Sequence, residues 1–189
     1  YLVGVIVSNH FKGIPTLLAT YTPSNVANLT IETNIDSTYD EYMFVFTDMQ
    51  PVTNGANFIM QFNATGQSGA NEEICGSSIR ARLFEGNSGA EVTYQTSYDM
   101  VGTGNIYLTG EIGSGADECM AGFIHFYHLP SSTAVFQYTS RLSIYGYSDS
   151  SEEWVAGGYT SATNAAIELI YFGFSSGNMN GTIQHFGIA

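Results

Sequence analysis

The chain has 189 residues, 44% of them hydrophobic and 14% aromatic, which suffices for one well-buried domain and is too short for two ordinary ones. Its 17 acidic residues face only four basic ones, Lys12, Arg80, Arg82 and Arg141, for a formal net charge of -13. Such a surface repels phosphate backbones and anionic lipid heads, so no nucleic acid and no membrane insertion are expected.

The first stretch, "YLVGVIVSN", is apolar but only about half the length that spans a bilayer, and it has neither a basic leading region nor a small-residue cleavage pattern. Leu2, Val3, Val5, Ile6 and Val7 form a run that an acidic domain has no reason to expose, so they are the expected interface residues. Residues 1–15 read as an N-terminal docking arm ended by Pro15, and residues 16–189 as the domain; the competing reading makes the run the domain's own first strand.

Alternating and β-branched runs then recur between Gly, Asn, Ser and Pro. They are "TLLATYT" (16–22), "NLTIET" (28–33), "EYMFVFTDM" (41–49) and "NFIMQFNA" (57–64). Next come "SSIRARLFE" (77–85), "EVTYQTS" (91–97), "NIYLTGEI" (105–112), "CMAGFIHFYHL" (119–129), "AVFQYTSRLSIYGY" (134–147) and "EWVAGGYTS" (153–161). The chain closes on "ELIYFGFSSGNMNGTIQHFGIA", which predicts a hairpin whose turn uses the positive φ available to Gly177 and Gly181. The 13 Tyr, 12 Phe and 21 Gly agree with strands and tight turns. The fold class is all-β, a two-sheet β-sandwich of jelly-roll type with about a dozen strands and very little helix.

Side-chain alternation assigns faces. Tyr42, Phe44 and Phe46 share one face of their strand and Met43, Val45 and Thr47 the other, the pattern of a central strand covered on both sides. Arg80 and Arg82 alternate with Ile79, Ala81 and Leu83, which predicts the arginines on a solvent face, ion-paired with acids of a neighbouring strand. The predicted core contains Phe44, Phe46, Phe58, Phe62, Ile124, Phe126, Ile144 and Phe172.

No constellation here dictates a chemistry. His125 and His128 are three apart, so a strand points them to opposite faces, and His10 and His185 read as interface residues near the ends. Carboxylates cluster at Asp36, Asp40 and Glu41, at Asp117 and Glu118, and at Asp149, Glu152 and Glu153. Held at set separations such groups hydrolyse glycosides or bind Ca²⁺, but these lie in turn-like segments where solvated acids are ordinary. "GTGNIYLTGEIGSG" lacks the strand-loop-helix setting of a nucleotide loop. Cys75 and Cys119 are either one bridge or two half-buried thiols. Asn28, Asn63 and Asn180 head N-x-Thr sequons that matter only in a eukaryotic secretory setting, and Tyr98, Tyr145, Tyr147 and Tyr159 are candidates for stacking on sugars. No catalytic residue, cofactor or metal ligand is assigned.

The order "LLATYT", then "IDSTYDEYMFVFTDMQPVTNGANFIMQFNATGQSG", then "YTSATNAAIELIYFGFSSGNMNGTIQHFGI" resembles a group of poorly characterised structural (virion) proteins of marine tailed bacteriophages. The resemblance spans about residues 16–189, with specific ends and a loose middle, and excludes the first fifteen residues. It implies a non-enzymatic virion component on the particle surface, of tail-fibre, receptor-binding or capsid-decoration type. The partners it implies are other virion proteins and copies of the chain itself, as a homotrimer, with a host-surface glycan as receptor. The rival reading is a secreted carbohydrate-binding or glycan-processing β-sandwich domain that uses the acidic loops and tyrosines.

Overall fold

The computed structural model describes residues 13–189. Strand makes up 59% and helix 3%, as the sequence predicts. The chain runs through β1 (Thr16–Tyr21), β2 (Asn28–Ile31), β3 (Glu41–Pro51) and β4 (Ala56–Ala64). Then come β5 (Ile74–Phe84), β6 (Ala90–Tyr94), β7 (Met100–Gly102) and β8 (Ile106–Ile112). It ends with β9 (Met120–Tyr127), β10 (Gln137–Gly146), β11 (Ser150–Thr160), β12 (Ile167–Phe174) and β13 (Met179–Ile188).

All 13 strands join one antiparallel hydrogen-bonded system. One run is β1-β13-β3-β9-β10-β11-β5, with β6 and β7 both on the far side of β5. The other, β8-β4-β12-β2, meets the first through β10, whose only register pair with β8 is Gly146 with Ile112. The sheet curls there, and the inner faces of β3 and β9 meet those of β4 and β12. Phe44 and Phe172 have ring centroids 5.4 Å apart, Phe46 and Phe58 5.1 Å, and Phe62 and Phe126 5.7 Å. All eight predicted core residues are buried, because period-two alternation gives each strand one apolar face to turn inward.

Three expectations need correction. The terminal hairpin does not form: β12 pairs with β4 and β2, whereas β13 pairs with β3 and β1. The loop after β12 instead carries the chain across the core. It packs on the equally crossing β3–β4 turn, where the Val52 amide donates to the Asn178 carbonyl at 2.8 Å. Gly177, at φ 74°, is required there, since a Cβ would lie 2.1 Å from the Thr53 hydroxyl. β13 thus ends the chain between two neighbours, not at a sheet edge.

β3 is covered on one face only. Tyr42, Phe44 and Phe46 are buried, but Met43 and Val45 are half-buried and Thr47 is exposed on the outer surface beside β9. The third correction concerns the faces of β5, taken up below. Leu2, Val3, Val5, Ile6 and Val7 lie outside the described residues; the first residue described, Gly13, donates its amide to the Ala189 carbonyl at 2.9 Å.

Candidate functional site

The strands β11, β5 and β6 form a wing beyond the aromatic core, and its two faces reverse the sequence expectation. Arg80 and Arg82 point inward. Arg82 lies opposite Glu152 in the β5–β11 register and opposite Glu91 in the β5–β6 register. Both guanidinium groups bond one Glu91 oxygen, Arg82 at 2.6 Å. The buried Glu152 carboxylate lies 4.0 and 3.9 Å from Arg80 and Arg82. Glu152 also accepts hydrogen bonds from Trp154 Nε1 at 2.8 Å and Ser150 Oγ at 3.0 Å.

A buried carboxylate is costly unless paired and hydrogen-bonded, and here Trp154 and Ser150 supply the hydrogen bonds while the two guanidinium groups supply the opposing charge. Arg80 further lies over the Trp154 ring at 5.6 Å, and Arg82 over Phe84 at 4.3 Å. Partial burial raises the Glu91 pKa, but hydrogen bonding to Arg80 and the two guanidinium charges outweigh it and hold the carboxyl below its usual range. Gly110 lets the indole lie flat, since a Cβ there would sit 2.6 Å from Trp154 Cζ2. The predicted pairing of the arginines with neighbouring acids therefore forms, on the opposite face from the one expected.

Inverting the arginines turns the apolar residues out. Ile79 is 48% exposed, Leu83 47%, Val155 49% and Val92 78%. In register these lie side by side: Val155, Ile79 and Tyr94 form one row, and Glu153, Ala81 and Val92 the next. Small Ala81, Ala90 and Ser151 floor a shallow groove whose sides carry Leu83, Val92 and Glu153. At its rim β6 has β5 as its one strand partner among the described residues, leaving an unpaired edge. Scattered exposed aliphatics are ordinary, but a contiguous set on adjacent strands beside an open edge marks a contact surface.

The other residues singled out by sequence do not converge on a site. His125 Nδ1 sits 3.1 Å from Glu41 on the outer face of β9, whereas His128 occupies a turn at φ 62°. His185, expected at an interface, is buried in the core. No group of three or more His, Cys, Asp or Glu residues with metal-holding geometry occurs among the described residues. Asp36 accepts the Thr38 amide, and hydrogen bonding from Thr38 holds its carboxyl below the usual range. Glu118 accepts the Gly115 amide within its own loop. Tyr145 donates to Glu85 at 3.1 Å, which pushes its phenol up to about 12. Tyr98 packs tilted against Trp154, centroids 5.0 Å apart, and only Tyr147 and Tyr159 of the four candidate tyrosines are well exposed. Of the sequons, Asn63 is buried and donates to Glu168, whereas Asn28 is exposed.

Cys75 and Cys119 are free thiols, and burial followed by the nearby Asp48 carboxylate raises the Cys119 pKa. A reducing agent is therefore expected to leave the melting midpoint unchanged in a calorimetric scan; a downward shift would reveal a bridge. The outer-face pair Arg141–Glu153, 3.0 Å apart with Arg141 largely exposed, provides a control. Arg141→Ala should cost less than about 1 kcal/mol in urea unfolding, because exposed pairs gain little over hydration.

No helix among the described residues is long and apolar enough to cross a membrane. No family model, curated protein or solved structure matches the chain.

Proposed function

We propose that this protein is a non-enzymatic structural component of a tailed-bacteriophage particle, displayed on its surface and held there by its N-terminal arm. The observation that carries the reading is the contiguous exposed apolar face of Ile79, Leu83, Val92 and Val155 beside an open strand edge. A chain of net charge -13 keeps its remaining surface soluble, so such a face has its use in assembly. The sequence resemblance to virion proteins favours the same role, as tail fibre, receptor-binding module or capsid decoration. Partners are other virion proteins and further copies of the chain, in a homotrimer for the fibre form, with a host-surface glycan as receptor. A two-sheet jelly-roll is the architecture belonging to this reading, and the apposed inner faces of β3 and β9 with β4 and β12 support it.

The test is an averaged image of intact particles labelled with an antibody to this chain, read together with mass spectrometry of purified particles. Density at a fixed copy number on tail or head is the expected result. Absence of the chain from purified particles would sink the proposal. The second reading, a secreted carbohydrate-binding domain, draws on the exposed Tyr147 beside a polar cleft lined by Arg80, Tyr98 and Glu111. A glycan array that gives saturable binding lost in Tyr147→Ala would favour it.

A further inference from the structure

We infer that the groove on the outer face of β11, β5 and β6 receives the apolar segment Leu2–Val7 of a second copy of this chain, so that the protein self-associates by arm exchange. This rests on the arm-docking part of the reading above and names the receiving surface.

Reach disfavours the chain's own arm. Gly13 is hydrogen-bonded to Ala189, one residue beyond Ile188. From Ile188 the register runs through Glu41, Tyr127, Gln137 and Tyr159 to Cys75. Gly13 lies one strand step outside Ile188, on the β1 side, so Cys75 is on its row six strand steps or about 29 Å across the sheet. The groove floor at Ala81 is six residues further along β5, about another 20 Å. Measured along the sheet surface the two displacements combine to about 35 Å. From Gly13 a fully extended chain covers about 21 Å to Val7 and about 28 Å to Val5, so Val5, Ile6 and Val7 of the same copy fall short of the groove floor along the surface.

Charge selects the segment over a body-to-body contact. No acidic residue precedes Glu32, and Lys12 is the one basic residue before Arg80, so residues 1–12 carry +1. Subtracting this from the chain's -13 leaves -14 on the remainder. Two bodies of -14 repel when stacked face to face. An acid-free apolar segment meets no such barrier. The small residues Ala81, Ala90 and Ser151 between Leu83 and Val92 leave room there for apolar side chains.

Sedimentation velocity on the full chain tests this. The wild type should sediment as a dimer or trimer at tens of micromolar. Val92→Glu, which alters an exposed position, and separately Ile6→Glu should each give monomers with unchanged circular dichroism and melting. A labelled peptide of residues 1–12 should bind the full chain carrying Ile6→Glu, whose groove is vacant, and lose at least tenfold in affinity when Val92→Glu is added. A monomeric wild type, or an oligomer that survives both substitutions, overturns the inference. Loss of Val92→Glu from particles while the wild type stays monomeric also overturns it, and leaves the proposed virion role standing with a different protein on the face. Arm-dependent oligomers of a chain absent from particles would do the reverse, supporting the inference and sinking the virion role.

Discussion

Replacing Phe172 by alanine is expected to lower stability by about 3–5 kcal/mol, the cost of a large-to-small change that leaves a cavity among unyielding neighbours. Phe172 is fully buried, and its ring lies 5.4 Å from Phe44, 5.3 Å from Phe46 and 5.8 Å from Phe58. Those rings belong to two strands, β3 and β4, from both sides of the core, and each meets Phe172 edge-on or stacked, so collapse around the void would break several contacts at once. For a chain of this size the loss corresponds to a fall of roughly 6–20 °C in melting temperature. Phe123, 39% exposed on the outer face of β9, supplies the contrast, with an expected cost under about 1 kcal/mol on truncation to alanine. Urea unfolding of both variants measures this. Equal losses would mean that the inner and outer faces have been misassigned.

The core was legible because β3, β4, β9 and β12 each carry large apolar residues at alternate positions, and a strand with that pattern has one energetically sensible orientation. β7 was not, since "MVG" is too short to carry an alternation. The terminal loop misled for a different reason: Gly177 and Gly181 supply positive φ equally well to a hairpin and to a crossing loop. The choice between them lies in the remote partners β3 and β4, which have their own turn stacked on the same spot. β5 failed on competing faces. Its two alternating sets, one aliphatic and one arginine, are both amphipathic once the arginine stems are counted, and the rule that charge faces water favoured the wrong one. The deciding signal lay 70 residues away in "SSEEW", where inward-facing Glu152 and Trp154 give Arg80 and Arg82 a carboxylate and a ring to meet. The docking face follows from that inversion, so it was invisible to any reading of β5 by itself.

Acidification should destabilise the protein through His185. Its ring is fully buried on β13, stacked on Phe44 at 4.3 Å and 14° and tilted against Tyr42 at 5.5 Å, and neither ring nitrogen has a hydrogen-bond partner among the described residues. Neither neighbouring ring is charged in this range, since burial pushes the Tyr42 phenol up to about 12. A cation here would be desolvated and unbonded, so burial lowers the His185 pKa from 6.5 to about 4. The unfolded chain takes up the proton near pH 6.5 and the folded one only near pH 4. Between those values the unfolded state binds more protons, so the contribution is fully present above pH 6.5 and is lost as pH falls towards 4. By pH 4.5 the loss amounts to about 2.5 kcal/mol. Carboxylates titrate in the same window, so the difference between wild type and a His185→Leu variant isolates this group. Leucine keeps a similar volume and cannot take a proton. Urea midpoints compared at pH 7.5, 5.5 and 4.5 should show the variant gaining on the wild type at each step down. Parallel pH profiles would show that His185 finds a proton-accepting partner or water in the folded protein.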